Sequence, residues 1–173
     1  GVLNLVLGSG PDTGDTLLHH PDVALVSFTG STETGTHINV EGAKSLKRVS
    51  LELGGKNATI VMDDADIDLA VEGILWSAFG TSGQRCTAAS RVVVHDKVHD
   101  AFVEAFVARA RQLRVGDGLE GSTQMGPSVS EAQLSRVVEY VKIGQAEGAT
   151  LAVGGNRLTS GAFARGFFHE PTI

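Results

Sequence analysis

Val23-Ala24-Leu25-Val26-Ser27-Phe28-Thr29 runs directly into Gly30-Ser31-Thr32-Glu33-Thr34-Gly35. The first seven residues are rich in apolar and β-favouring side chains and read as a strand. The glycine-bounded run behind them is short and polar, and a helix is expected from about 31 to 43. Strand, tight turn and helix in that order form the repeating unit of a parallel α/β sheet.

The same alternation continues on both sides. Upstream, residues 2–7 read as a strand leading into Gly8-Ser9-Gly10-Pro11-Asp12-Thr13-Gly14 and a short helix to His20. Downstream, residues 48–53 and 58–62 read as strands. Asp63-Asp64-Ala65-Asp66 supplies a cap for a helix with Ile67, Ala70, Val71, Ile74, Leu75 and Ala78 on one face, ending near Gly80. Trp76 on that helix reads most simply as a packing residue. A strand over 91–95, helices over 98–113 and 130–147, and strands over 150–153 and 167–172 complete the pattern. The fold class is α/β, with mainly parallel sheets and flanking helices. A boundary near Ser50 divides residues 1–50 from 51–173.

The 173 residues are 42% hydrophobic and 20% charged, as in an ordinary globular protein. The net charge of −6 argues against nucleic acid or an anionic membrane as the main partner, because both call for clustered Lys and Arg. Lys44, Lys47 and Arg48 form one small basic group, read as a solvated element end. One cysteine cannot close an internal disulfide, so a reducing, cytoplasmic compartment is expected. The start lacks the features of a signal peptide.

Three stretches carry candidate chemistry. The turn 30–35 opens a helix, where free N–H groups and the helix dipole suit a pyrophosphate; a plain N-cap needs no ligand and explains the same residues. The 8–14 turn has one residue too many for a dinucleotide fingerprint and reads as an ordinary βα turn. Leu51-Glu52-Leu53-Gly54-Gly55 puts a carboxylate at a strand end, where active sites of parallel sheets gather. Flanking leucines are expected to desolvate Glu52 and make it a useful general base; a surface glutamate is the alternative.

Cys86 is the only thiol. A lone cysteine is commonly a small buried hydrophobe. Here Gly83, Gln84, Thr87 and Ser90 are small or polar, and Arg85 is adjacent. Such a loop lets a substrate approach and lets backbone N–H groups stabilise a thiolate or oxyanion. No H-E-x-x-H, C-x-x-C or G-x-S-x-G occurs, so zinc and serine-hydrolase chemistry lack support. His95 and His99 straddle an element boundary and make a poor metal pair. His19, His20, His37 and His169 read as surface or capping residues.

Taken together, Phe28-Thr29-Gly30-Ser31-Thr32-Glu33-Thr34-Gly35, Leu51-Glu52-Leu53-Gly54-Gly55-Lys56-Asn57 and Phe79-Gly80-Thr81-Ser82-Gly83-Gln84-Arg85-Cys86 resemble the NAD(P)-dependent aldehyde dehydrogenase superfamily. Gly126-Pro127 and Glu170-Pro171-Thr172 look like further landmarks, and the likeness covers essentially the whole chain. The resemblance implies a partial aldehyde dehydrogenase fold: residues 1–50 from the NAD(P)-binding domain and 51–173 from the catalytic domain. It implies Cys86 as nucleophile, with its backbone N–H as an oxyanion donor, and Glu52 as the base that activates water. It places Gly30, Ser31 and Gly35 at the cofactor pyrophosphate, Gly10 and Gly14 on the adenosine side, and Leu53 near the nicotinamide.

The implied cofactor is NAD or NADP, the partner a small-molecule aldehyde, and the complete protein a homo-oligomer. The loop around Cys86 looks like members acting on semialdehydes, where a basic residue suits a distant carboxylate. The family's oxyanion asparagine and both its ribose-holding regions lie outside these residues. A fragment with little activity of its own is therefore expected. A non-catalytic, partner-binding module and a variant that passes its acyl group to coenzyme A are the competing readings.

Overall fold

The computed structural model describes residues 1–173. It contains two compact units, Gly1–Gly55 and Lys56–Ile173.

In the first unit, β1 (Leu25–Gly30) pairs in parallel with β2 (Arg48–Leu53), from Leu25 opposite Arg48 to Gly30 opposite Leu53. Helix α2 (Thr32–Ala43) makes the crossover and packs on both strands. It can do so because Gly35 and Gly42 are buried on its inner face. A Cβ on Gly35 would lie 2.6 Å from Leu53 Cδ2, and one on Gly42 would lie 3.0 Å from Val49 Cγ2. Before these, a π-helical turn (Gly10–Gly14), capped by Ser9, leads into α1 (Asp15–His19), which packs against α2 and buries Leu18. The basic group near Lys44 is tied down locally. Lys44 pairs with Glu41, and the Lys47 ammonium donates to the carbonyls of His20 and Val23.

One sequence expectation fails in this unit. Residues 2–7 form no strand, and Val2, Leu3, Leu5, Val6 and Leu7 are exposed. Strand propensity describes fit to a pleated, half-buried surface, and here no neighbouring strand supplies one. The two compact units divide after Gly55. β2 starts at Arg48 and is paired with β1 along its whole length, so it cannot be split between units.

In the second unit, β3 (Asn57–Val61) pairs in parallel with β4 (Ala89–Val94), with a register shift between Asn57 and Ala58. Helix α3 (Ile67–Phe79) connects them, its start capped by the Asp66 carboxylate accepting from Leu69 N–H at 3.1 Å. Helix α4 (His99–Ala110) packs on α3. With Val61 of β3, their apolar faces build the main core: Val71, Ile74, Leu75, Phe79, Phe102, Phe106 and Ala110. The Phe102 and Phe106 rings stack with centroids 5.3 Å apart.

Helix α5 (Glu131–Ala146), capped by Ser130, buries Leu134 completely. β5 (Arg157–Leu158) and β6 (Phe168–His169) form a short antiparallel pair. Residues 150–153 are not a strand: Val153 and Ile173 exchange one pair of backbone bonds and Ala152 N–H adds a second to the Ile173 carbonyl, a contact too short to extend into a ladder. The Glu170-Pro171-Thr172 landmark closes against residues 154–156. Gly154 has φ +80°, and a Cβ there would strike the Pro171 carbonyl at 2.0 Å. His169 is a further correction: it is buried, with its Nδ1 bonded to the Glu170 carbonyl at 2.7 Å. No helix is long and apolar enough to cross a membrane.

Candidate active site

α3 ends at Phe79 and passes into a 3-10 turn, Gly80–Gly83. Three successive residues there are left-handed: Thr81 at φ 56°, Ser82 at 55° and Gly83 at 68°. That hand costs an L-residue about 1–2 kcal/mol, so Thr81 and Ser82 must be held by their surroundings. A Cβ on Gly83 would sit 2.9 Å from the Ala78 carbonyl, which reserves the position for glycine.

Cys86 follows on a tight turn, exposed. Asn57 holds the turn: its Nδ2 donates to the Cys86 carbonyl at 2.6 Å and to the Ala88 carbonyl at 3.3 Å. Asn57 sits beside the register shift between β3 and β4, and such irregularities re-aim side chains. On the other side, Arg85 turns back onto α3. Its Nη2 donates to the carbonyls of Trp76 and Ser77, and its guanidinium lies 4.2 Å from the Trp76 ring centroid. Trp76 is thus 68% exposed and packs on Arg85, not in the core. The Ser77 hydroxyl accepts from Ala89 N–H at 3.1 Å, fixing the start of β4.

Glu52 belongs to the first unit and Cys86 to the second. Glu52 is exposed, so its expected desolvation is absent. The reason is the pleat. Leu51 and Leu53 point to one face of β2 and are half-buried, while Glu52 points to the other. Neighbours in sequence say nothing about the environment of the residue between them on a strand.

The proposed cofactor residues all lie in the first unit. Ser31 is the N-cap of α2, its hydroxyl accepting from Thr34 N–H at 3.1 Å. The N–H of Gly35 already bonds the Ser31 carbonyl, so by helix geometry Thr32 and Glu33 carry the free donors at this end. Gly35 lacks a side chain where Leu53 packs against it, and the Phe28 ring fills the space a Cβ on Gly30 would take. Gly10 and Gly14 line a cavity of about 690 Å³ with Leu17, Val26, Phe28 and Ile38 among its apolar walls.

Sequence reasoning missed Asn57, Ser82 and Gln84 as contributors to the nucleophile turn. All three lie in stretches quoted for the resemblance, but their roles do not show there: the amide of Asn57, for one, works through contacts 29 and 31 residues away. The histidines are accounted for locally: His19 contacts Glu41, His37 contacts Asp15, and His99 contacts Asp100.

A model described as the aldehyde dehydrogenase family matches residues 1–173. Betaine aldehyde dehydrogenase of Bacillus subtilis (strain 168) is 45% identical over 173 residues, covering 100% of this chain and 35% of the relative. The Brucella ovis betaine aldehyde dehydrogenase gives the same figures. The chain thus spans about a third of the length of the curated relatives it matches. Among solved structures, betaine aldehyde dehydrogenase of Staphylococcus aureus in complex with NAD+ superposes with a TM-score of 0.93 at 41% identity, covering 96% of this chain and 33% of that one. A double mutant of that Staphylococcus aureus enzyme, also in complex with NAD+, carries a BME-modified cysteine. HpcC from Thermus thermophilus superposes equally well, with a TM-score of 0.93 at 42% identity, covering 96% of this chain and 33% of its own.

Proposed function

Because this chain belongs to the aldehyde dehydrogenase family, we propose that the whole protein oxidises an aldehyde to a carboxylic acid with NAD+ or NADP+, using Cys86 as nucleophile and Glu52 as base. The observation that carries the reading is the exposed thiol on a turn whose carbonyl Asn57 draws aside. With that carbonyl engaged, the Cys86 N–H is the group assigned to a developing oxyanion.

The thiolate attacks the aldehyde carbon and forms a thiohemiacetal. The nicotinamide, when bound, supplies the acceptor for the hydride leaving that carbon, and the product on Cys86 is a thioester. Glu52 takes a proton from water, the water oxygen attacks the thioester carbonyl, and the acid leaves as the thiolate is restored. The first unit is proposed as part of the NAD(P)-binding domain and the second as part of the catalytic domain. The apolar cavity lined by Gly10 and Gly14 suits the adenosine end of the cofactor. Gly30, Ser31 and the free N–H groups of α2 suit its phosphates. Gly35 and Leu53 support that helix end through their mutual packing, and Leu53 is kept as the nicotinamide neighbour.

Arg85, the basic residue a semialdehyde carboxylate would need, is committed to Trp76 and the end of α3. The substrate class is therefore proposed as aldehydes generally, with betaine aldehyde, the substrate named for the relatives, as first trial. A carboxylate assigned as water base, Glu52, favours hydrolysis over transfer to coenzyme A. The whole protein is also proposed to be a homo-oligomer.

The test follows NAD(P)H absorbance in the full-length protein with betaine aldehyde and succinic semialdehyde, with and without coenzyme A. Cys86→Ala abolishes turnover. Glu52→Gln keeps a burst of NAD(P)H but slows release of the acid. Normal turnover by Cys86→Ala refutes the assignment.

A further inference from the structure

We propose that Gln84 is a positioning residue: it ties the turn that presents Cys86 to residues 127–129, with Ser82 completing the tie at Gly126. The kinetic part rests on the aldehyde-oxidation reading above; the structural part does not.

The Gln84 side-chain amide behaves like a backbone partner. Its Oε1 accepts from Val129 N–H at 2.9 Å, and its Nε2 donates to the Pro127 carbonyl at 3.3 Å. Two residues away, the Ser82 hydroxyl donates to the Gly126 carbonyl at 2.8 Å. The opposite edge of the same segment is also used, since Ser128 N–H donates to the Phe167 carbonyl at 2.9 Å. Residues 126–129 are therefore a strap, bonded on one edge to the nucleophile loop and on the other to the chain entering β6.

The loop needs such a tie. Thr81 and Ser82 stand in a left-handed conformation that local preference opposes. Asn57 and Arg85 hold the turn only from the β3 and α3 sides. Gln84 is exposed, so its two bonds, and not burial, account for its place. Without them the chain leading into Cys86 is released on one side. A nucleophile misplaced by about 1 Å can lose on the order of a hundredfold in rate.

The experiment compares wild type, Gln84→Ala and Gln84→Glu in the full-length protein. Glutamate keeps the acceptor for Val129 N–H and loses the donor to Pro127. Gln84→Ala is expected to speed hydrogen exchange at the Val129 amide about tenfold or more. It should lower kcat about tenfold or more while KM for the aldehyde stays within about threefold. Gln84→Glu should retain Val129 protection and most of kcat. Unchanged Val129 exchange in Gln84→Ala overturns the proposal. So does unchanged kcat, or a loss of protection spread evenly through α3 and α4, which would mark a role in stability alone. If the wild type oxidises no aldehyde, the functional reading falls by itself. Val129 exchange and the rate at which iodoacetamide alkylates Cys86 then decide the tie: Gln84→Ala changes both, or the proposal fails.

Discussion

Gly35→Ala sets two effects of known sign against each other. In an open helix, alanine for glycine is stabilising by about 1 kcal/mol, because glycine loses more backbone freedom. Gly35 faces Leu53 instead, and the new Cβ would lie 2.6 Å from Cδ2 and 3.3 Å from Cδ1. Only the end of a flexible side chain must move, so the cost is that of mild overpacking, about 1–3 kcal/mol. The net expectation is destabilisation by about 0–2 kcal/mol. Leu53→Val removes both Cδ atoms. In that background Gly35→Ala should turn stabilising, by about 0.5–1 kcal/mol.

Two units need not unfold together, so a single global midpoint is the wrong observable. Hydrogen exchange at the amides of α2 and β2 reports the first unit locally. A double-mutant cycle over Gly35→Ala and Leu53→Val then gives the coupling between the two positions. The same sign for Gly35→Ala in both backgrounds would refute the packing account. Gly35 would then be a glycine for some other reason, such as close approach of a phosphate.

Asn57→Ala removes two hydrogen bonds and should destabilise the second unit by about 1–3 kcal/mol, read from urea unfolding by Trp76 fluorescence. Asn57→Asp points a carboxylate at the same two carbonyls and should be worse; equal stability of the two variants would remove Asn57 from its assigned role. The His19 imidazole is held above its ordinary value of 6.5, first by the Asp15 carbonyl that it bonds and then by Glu41. A raised histidine contributes fully below its unfolded value, and that contribution is lost as pH rises through the folded one. Glu41, lowered first by Lys44 and then by His19, loses its contribution at the acid end. An NMR titration should place His19 above 6.5, and Glu41→Gln should bring it down without returning it fully, because the Asp15 carbonyl remains.

Most helices were legible because their burial faces repeat in the sequence. α3 and α4 carry their core residues at the spacing expected, and their ends fall within a few residues of the caps. Strands were legible where a partner exists. Residues 2–7 have the composition of a strand and no pairing, while Arg157 and Leu158 pair across two residues too few to show any period. At the candidate site, residue types pointed to Cys86 and Glu52, but their environments were not readable. Glu52 is exposed because the pleat turns it away from its leucines. Arg85 faces α3, and His169 is buried, through contacts fixed by tertiary packing.

The strap across residues 126–129 has a consequence for the order of folding. Its bonds to Ser82 and Gln84 span 43 to 45 residues of chain. Contacts of that separation form only after a substantial loss of chain entropy, and they come late when local structure can come early. α3 can form from its own sequence. The left-handed turn at its end is harder to settle locally, since Thr81 and Ser82 oppose that hand. During synthesis, α3 and Cys86 leave the ribosome well before residue 129. The thiol thus exists as a flexible side chain for an interval before it occupies a shaped loop, and completion of that loop waits on a segment made some forty residues later.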